Sequence, residues 1–293
     1  MSRIAIMTDS CACIPEEVAQ QYGLTTMPFH TIVDGKDYLD NEIDMPWLYQ
    51  LLKDRKNAEE TLPTTSFPPP ADFCQAYENL AQKADAILYF SMSSLFSKGY
   101  QAAIEGKELA QEKLPHIRID IIDSRTVESG ELLLVTGAAR AISEGKDIDE
   151  VLELTHGLIS RVTLLTGSET LFYRDKGGRI FQAKSWAEAQ PRSAFRTIIE
   201  VDASTDGKTR PVTRVRTRNQ MMKAMVDIAK EKAEGKPIHA AIVHANVPHD
   251  AEQLKALLLS QCQCDELYIS ELPGAIAVHN GEGLLDLGFY VTD

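Results

Sequence analysis

The sequence predicts an α/β protein with two domains, and three observations support this fold class. The chain has 293 residues, and a single hydrophobic core stops growing at about 250 to 300 residues. In the first half, apolar strand patterns, polar loops and helix patterns follow one another repeatedly. After residue 160 the segments shorten, and glycine, proline and turn residues separate them. We therefore expect a first domain over residues 1–160 and a second over residues 161–293.

Three repeated units define the predicted first domain. Short apolar strands are expected at residues 3–7, 86–90 and 117–122. Each strand runs into a loop that carries a serine and then into a helix pattern; Pro15 and the two acids after it, for example, suit a first helical turn. Helical crossovers between the strands indicate a parallel sheet with its binding loops at the carboxyl ends of the strands. The prediction is a Rossmann-like three-layer domain.

The second half predicts an α/β domain with a mixed sheet. Residues 203–208 have the composition of a hairpin turn between strand patterns at 197–201 and 211–216. Helix patterns alternate with the remaining strand patterns, which lie at residues 238–243, 266–270 and 288–291. A hairpin together with helix-linked strands predicts both antiparallel and parallel pairing.

The composition excludes several classes of partner. Thirty Lys and Arg against 43 Asp and Glu give a net charge of −13, which disfavours nucleic acid and anionic lipid headgroups. The N-terminus lacks the apolar core of a signal peptide, and no apolar run approaches the roughly 20 residues of a membrane span. The five cysteines do not match the usual zinc spacings. We expect a cytoplasmic protein with no metal, no cofactor, no nucleic acid and no stable membrane insertion.

Two hydroxyl-rich loops are the first candidate binding elements. Thr65 and Ser66 precede a proline that fixes the loop. Ser93, Ser94 and Ser97 lie between a buried strand and a helix N-terminus, where backbone amides and the helix dipole favour an anion. An ordinary helix cap is the alternative, although a cap explains one serine and not several. The loops predict a site for a carboxylate or a phosphate.

Two arginines and a histidine are the candidate cationic residues. Arg179 follows two glycines, so the backbone can turn sharply and direct the guanidinium inward, with a surface ion pair as the alternative. Arg216 lies in an extended segment with Arg214 and Arg218 on the same face, with a solvated basic face as the alternative. His279 precedes Asn-Gly-Glu-Gly, which predicts an exposed, flexible backbone beside a titratable ring.

The usual enzyme signatures are missing. The sequence contains no GxxxxGK[ST] phosphate loop, no GxSxG elbow and no HExxH motif. No catalytic residue is therefore assigned. Because serine and histidine are both present, a serine- or histidine-dependent lipid hydrolase or phosphotransferase stays open as the alternative.

The order of the motifs resembles the DegV family of bacterial lipid-binding proteins over nearly the whole chain. The family pattern has a TDS strand end, a TSQP loop, an SSxLSGTYQ loop, a second DS turn, a YLxxGGR turn, a VRT segment and a terminal HxGPG. The matching segments begin at residues 8, 65, 93, 123, 173, 215 and 279.

The resemblance implies a fatty-acid-binding protein that is not an enzyme. Similar proteins have two α/β domains and hold one long-chain fatty acid in an apolar tunnel, with its carboxylate at the domain interface. Some present it to a fatty acid kinase, which makes an acyl phosphate for phospholipid synthesis. By resemblance the carboxylate is held by hydroxyls of Thr65, Ser66, Ser93, Ser94 and Ser97. The phosphate or the kinase would face Arg179, Arg216 and His279. Apolar segments near the motifs suggest tunnel walls at Phe172, Trp186, Phe195, Ile198, Leu284 and Phe289.

The chain departs from the family pattern in four of the motifs. Phe67 stands in place of Gln, Lys98-Gly99 in place of Gly-Thr, Arg174 in place of Leu and Glu282 in place of Pro. Lys98 brings a positive charge close to the proposed carboxylate. Glu282 adds a negative charge beside His279, which is expected to favour the protonated imidazole and to oppose an acyl phosphate. The departures therefore bear on presentation to a kinase more than on lipid binding.

Overall fold

The computed structural model describes residues 3–56, 61–189 and 195–292. The strands are β1 (Ile4–Asp9), β2 (Thr25–Met27), β3 (His30–Val33), β4 (Lys36–Leu39), β5 (Thr64–Ser66), β6 (Ala86–Ser91), β7 (Arg118–Asp123), β8 (Thr163–Ser168), β9 (Arg196–Val201), β10 (Arg210–Val215), β11 (Ile238–His244), β12 (Cys264–Glu271) and β13 (Leu285–Val291). The helices are α1 (Glu16–Tyr22), α2 (Met45–Arg55), α3 (Pro70–Ala81), α4 (Gly99–Gln111), α5 (Ser129–Ser143), α6 (Ile148–Ile159), α7 (Phe172–Lys176), α8 (Lys184–Ala189), α9 (Arg218–Ala233), α10 (Pro248–Gln261) and α11 (Gly274–Asn280). Within these described ranges, no helix combines the length and the apolar character that crossing a bilayer requires.

A four-stranded parallel sheet forms the first half of the fold. Its order is β2-β1-β6-β7, and each neighbouring pair is parallel. On β6, Ile87 and Tyr89 pack with α3 and α4, whereas Leu88 and Phe90 pack with α5 on the opposite face. Helices thus cover both faces, as an all-parallel sheet requires. The predicted three-layer parallel fold is confirmed.

A six-stranded mixed sheet forms the second half, and its predicted character is also confirmed. The order is β10-β9-β8-β13-β11-β12; β11 and β12 are parallel, and the other pairs are antiparallel. Helices α9 and α10 cover one face. Helix α5 lies against the other face, where a Cβ added to Gly288 would be 2.8 Å from the backbone of Ser129. Because α5 also covers the parallel sheet, both sheets share this helix. The boundary at residue 160 stays a prediction.

A three-stranded antiparallel sheet of β4, β3 and β5 was not predicted. Thr65 lies in β5, where its backbone pairs with Thr31 of β3, so the expectation of a loop or a helix cap there is wrong. A strand of three residues is too short to show an alternating pattern, and its pairing is with a distant segment. This sheet places Thr65 beside α11.

The expectation of an exposed backbone at residues 280–283, beside His279, is wrong, because Asn280 is the last residue of α11, Gly281 and Gly283 are buried, and Glu282 alone of the four is exposed. The helix follows Pro273, and every residue in it except His279 is buried. Its small residues permit close packing, since a Cβ on Gly274 would be 2.9 Å from Ile43 and from Thr31. The backbone before His279 is therefore held firmly, and the turn with glycines follows only after the helix ends.

Candidate functional site

A cavity of about 460 Å³ opens at the carboxyl ends of the parallel strands. The loops after β1, β6 and β7 form part of its wall, and β5, the turn after α7 and α11 complete it. Apolar side chains line much of the cavity, namely those of Phe29, Phe67, Met92, Leu95, Phe96, Val127 and Ile276. Polar and charged side chains form the rest of the lining, namely those of Thr65, Ser66, Ser94, Ser97, Lys98, Glu128, Arg174, Arg179, His279 and Asn280. The cavity therefore combines apolar surface with polar groups that can orient a ligand.

The wall residues suggested by the sequence do not border this cavity. Ile198 and Phe289 instead pack beneath α9 in the core of the mixed sheet. Trp186 packs against a small cluster around Leu171, and Phe172 lines a neighbouring cavity. Nearness in sequence to a motif was a poor guide, because alternate residues of a strand face opposite sides of the sheet.

A hydrogen bond joins Thr65 and His279, two of the polar residues that line the cavity. Thr65 Oγ1 lies 2.9 Å from His279 Nε2. Burial, and then the charges of Arg179 and Arg174, lower the pKa of His279 to about 3, so the imidazole is neutral near pH 7. The expectation that Glu282 would favour the protonated ring is wrong, and the carboxylate of Glu282 accepts a hydrogen bond from Asn246 instead.

The serines of the predicted carboxylate loop differ in their placement. Ser94 and Ser97 border the cavity, whereas Ser93 is buried and accepts a hydrogen bond from the amide of Leu95. Ser94 is exposed, and its hydroxyl donates to Asp123 at 2.6 Å. The hydroxyl of Ser97 accepts from the amide of Gly99 at 3.0 Å and keeps its own proton to donate.

Ser66 also borders the cavity, and its hydroxyl donates to the carbonyl of Phe67 at 3.2 Å. The structure therefore brings Thr65, Ser66, Ser94 and Ser97 to one cavity.

Arg179 connects the loop that carries Ser93, Ser94 and Ser97 to the turn after α7. Its guanidinium donates to the carbonyl of Phe96 at 3.3 Å and to the carbonyl of Gly177. Burial lowers its pKa, and the side chain borders the cavity together with His279. The structure thus places two of the three predicted cationic residues at the site.

Arg216 lies elsewhere. It is exposed after β10, and its guanidinium lies 5.7 Å from the centre of the Phe195 ring. The shared face predicted for the three arginines is wrong, because Thr217 caps α9 and Arg218 is already helical. Arg218 forms an ion pair with Asp250 at 2.8 Å.

A second cavity, of about 620 Å³, adjoins the first. Thr65, Gly177, Arg179 and His279 border both cavities and separate them. The second cavity is also lined by Arg55, Lys56 and Lys176, and no acidic side chain is among its described lining residues. The charged side chains among the described lining residues are therefore cations, and one of them, Arg55, forms an ion pair with Asp34 outside the lining.

A buried ionic group under the first cavity was not predicted as functional. Arg174 borders the cavity and forms an ion pair with Glu128 at 3.3 Å. Asn280 donates to the same carboxylate at 3.1 Å. Burial and the neighbouring Glu128 raise the pKa of Asp286 well above its ordinary value. Local sequence offers no signal for this group, because its members come from three distant parts of the chain, at residues 128, 174 and 280–286.

A family model described as that of an uncharacterised protein family, DegV, matches residues 3–292. The chain belongs to the DegV family. A DegV domain-containing protein from Clostridium perfringens is 29% identical over 282 residues, which are 95% of this chain and 95% of that protein. A second, from Caldanaerobacter subterraneus, is 26% identical over 283 residues, 96% of each chain.

Solved DegV structures have the same fold. A DegV family protein from Thermus thermophilus, described as fatty acid binding, has a TM-score of 0.88 and 24% identity, covering 99% of this chain and 100% of that one. A protein from Eubacterium ventriosum, described as stearic acid-binding, has a TM-score of 0.87 and 20% identity, covering 99% and 98%. At these identities the likeness establishes the fold.

Three of the four departures from the DegV pattern lie at the first cavity. Phe67, Lys98 and Arg174 border it, whereas Glu282 lies outside its lining. Lys98 is exposed to solvent, and Arg174 is buried. The departures in this DegV chain therefore change the polarity of the cavity wall.

Proposed function

We propose that this DegV protein binds one long-chain fatty acid in the first cavity. The observation that carries the proposal is a cavity of about 460 Å³ that has both apolar side chains and the Thr65–His279 hydrogen bond in its wall. Volumes of about 300 to 1,000 Å³ are typical of small-molecule sites. The DegV family protein from Thermus thermophilus, described as fatty acid binding, and the protein from Eubacterium ventriosum, described as stearic acid-binding, share the fold and support the same ligand class.

The acyl chain is expected to supply most of the binding free energy. Each methylene removed from water contributes about 0.8 kcal/mol, and the aromatic side chains of Phe29, Phe67 and Phe96 offer apolar contact area. The cavity needs no directional contact to hold such a chain. Chain length would then be selected by the depth of the cavity.

The carboxylate is expected to lie at the polar wall formed by Thr65, Ser97 and His279. A buried carboxylate is tolerated when it is hydrogen-bonded, and the hydroxyl of Ser97 retains a proton to donate. A neutral imidazole at His279 avoids the cost of burying a further charge. Ser66, Ser93 and Ser94 are the remaining proposed contacts, and Ser94 would have to give up its bond to Asp123.

We propose a binding role and not a hydrolytic one. A serine or threonine nucleophile needs a base that is itself oriented by a third group. The hydroxyl beside His279 belongs to Thr65, and Nδ1 of His279 has no hydrogen-bond partner among the described residues. Lipid hydrolysis or phosphotransfer is the competing function, and turnover of an acyl ester that His279→Ala abolishes would establish it.

Presentation of the bound acid to a cytoplasmic fatty acid kinase is the finer part of the proposal. Arg179 and His279 border both cavities, so they lie between a carboxylate in the first and any group in the cationic second. Arg216 is exposed and borders neither cavity, which suits contact with a partner protein. An acyl phosphate made there would supply phospholipid synthesis.

A titration with a matched pair of variants tests the proposal. Leu95 borders the cavity, whereas Leu109 lies on the exposed surface of α4 at 51% exposure. In delipidated protein, Leu95→Glu should abolish fatty acid binding, because it places a charge in the apolar wall, and Leu109→Glu should leave the affinity unchanged. Equal affinities of the two variants for fatty acid would show that the ligand does not bind in this cavity.

A further inference from the structure

Arg174 is a buried arginine that uses little of its hydrogen-bonding capacity. Its side chain is 5% exposed and borders the first cavity. One guanidinium nitrogen lies 3.3 and 3.5 Å from the two carboxylate oxygens of Glu128, and Nε has no hydrogen-bond partner among the described residues. A guanidinium has five N–H donors, and burying a charge is costly unless it is paired and hydrogen-bonded.

Glu128 is a weak counter-ion for this arginine. Charge-assisted hydrogen bonds are usually about 2.7 to 2.9 Å long, and both contacts from Arg174 are longer. The carboxylate of Glu128 also accepts from Asn280 at 3.1 Å. Burial and Glu128 raise the pKa of the neighbouring Asp286, which disfavours a second negative charge beside Arg174. The guanidinium is therefore only partly satisfied within the protein.

Other unsatisfied polar atoms cluster at the same wall. Nδ1 of His279 and Oδ1 of Asn280 have no hydrogen-bond partner among the described residues, and both side chains border the cavity. Arg174 is close enough to His279 to lower its pKa. The partly satisfied cation thus lies beside the wall where the carboxylate is expected.

We propose that Arg174 is a specificity-determining residue, which makes the cavity select an ionised fatty acid over an uncharged lipid of the same length. Hydroxyls such as those of Thr65 and Ser97 can bond an alcohol or an ester as well as a carboxylate. Arg179 is engaged by two backbone carbonyls, and Lys98 is exposed to solvent, where its charge is screened. Of these three cations Arg174 is the least exposed, so solvent screens its charge least. The inference rests on the proposed function.

The test compares the affinities of delipidated protein for tetradecanoic acid and for 1-tetradecanol. Arg174→Leu should lower the preference for the acid by about tenfold to a hundredfold, the range expected for hydrogen bonds to a charged group, and should leave the alcohol affinity unchanged. Because Arg174→Leu leaves Glu128 without its cation, the double variant Arg174→Leu with Glu128→Gln is measured beside it. Arg174→Lys should retain most of the preference.

Arg140→Leu is the matched control. Arg140 is partly buried, also pairs with a glutamate, Glu266, and lies outside the cavity lining. Its loss should leave the preference unchanged.

An unchanged preference in the double variant, or an equal loss of acid and alcohol affinity, would overturn the role of Arg174. Equal affinity of the unaltered protein for tetradecanoic acid and 1-tetradecanol would also overturn the role of Arg174, although it would leave the proposed lipid binding intact. Binding of neither ligand would instead refute the proposed function itself.

Discussion

The alanine variant of Gly177 tests the polar wall without touching either partner of its hydrogen bond. Gly177 has φ −79° and ψ −7°, which alanine adopts without strain. A Cβ there would lie 2.9 Å from Cε1 of His279 and closer still to Nδ1. The ring must therefore move, although Nε2 is held 2.9 Å from Thr65 Oγ1. Because α11 is buried, we expect the hydrogen bond to break.

The expected change in the free energy of unfolding combines three contributions. Overpacking costs about 1 to 3 kcal/mol, and a lost hydrogen bond costs about 0.5 to 1.5 kcal/mol. Replacing glycine by alanine returns about 0.4 to 1 kcal/mol through the unfolded chain. The net expectation is a loss of about 2 kcal/mol, measured by urea denaturation of the delipidated protein, together with weaker fatty acid binding.

Gly157→Ala is the matched control for this experiment. Gly157 lies within α6, and an added Cβ there meets no atom within 4 Å. The variant should gain about 0.5 to 1 kcal/mol from helix propensity and should bind fatty acid normally. If Gly177→Ala were as stable as Gly157→Ala, with an unchanged imidazole resonance for His279, the packing argument would fail.

Three further predictions concern the same wall. The pKa of His279 is lowered from 6.5 to about 3; the unfolded chain binds more protons between these values, so stability falls as the pH falls through this window. His279→Gln should make that fall shallower in urea denaturation at several pH values, and parallel profiles would contradict the assignment. Thr65→Val should weaken fatty acid binding more than Ser94→Ala, because Ser94 is exposed and bonded to Asp123; titration giving equal losses would argue against Thr65. Arg216→Ala should leave fatty acid affinity unchanged and lower acyl phosphate formation by a cognate kinase, because Arg216 is exposed, borders neither cavity and is the proposed contact with that partner. Loss of the lipid in that variant would instead place Arg216 in the carboxylate site.

The sequence predicts those parts of the fold in which local pattern and final structure agree. The strand at 86–90 is apolar throughout because helices cover both faces of β6, and the predicted helix from Gly99 begins after the loop that carries Ser93, Ser94 and Ser97. The hairpin of β9 and β10 was likewise predictable from its turn residues. The short strands β3, β4 and β5 escaped prediction, because three or four residues carry no reliable period.

The site was predictable in its residue types more than in its geometry. Thr65 and His279 meet across 214 residues of sequence, and no local pattern reports such a contact. The family resemblance named both residues but assigned Thr65 to the carboxylate and His279 to the phosphate or the kinase. His279 precedes a glycine-containing turn, which suggested exposure, yet tertiary packing buries the helix that carries it. Arg174 was noticed only as a departure, because its partner Glu128 lies 46 residues away.

Native mass spectrometry of the protein purified without added lipid tests the central claim most directly. We expect the intact protein to retain one noncovalent ligand with the mass of a single long-chain fatty acid, and Leu95→Glu to lose that ligand while Leu109→Glu retains it. Protein that emerges without ligand, and that stays unliganded after incubation with fatty acids of different lengths, would contradict the proposal that the cavity is a fatty acid site.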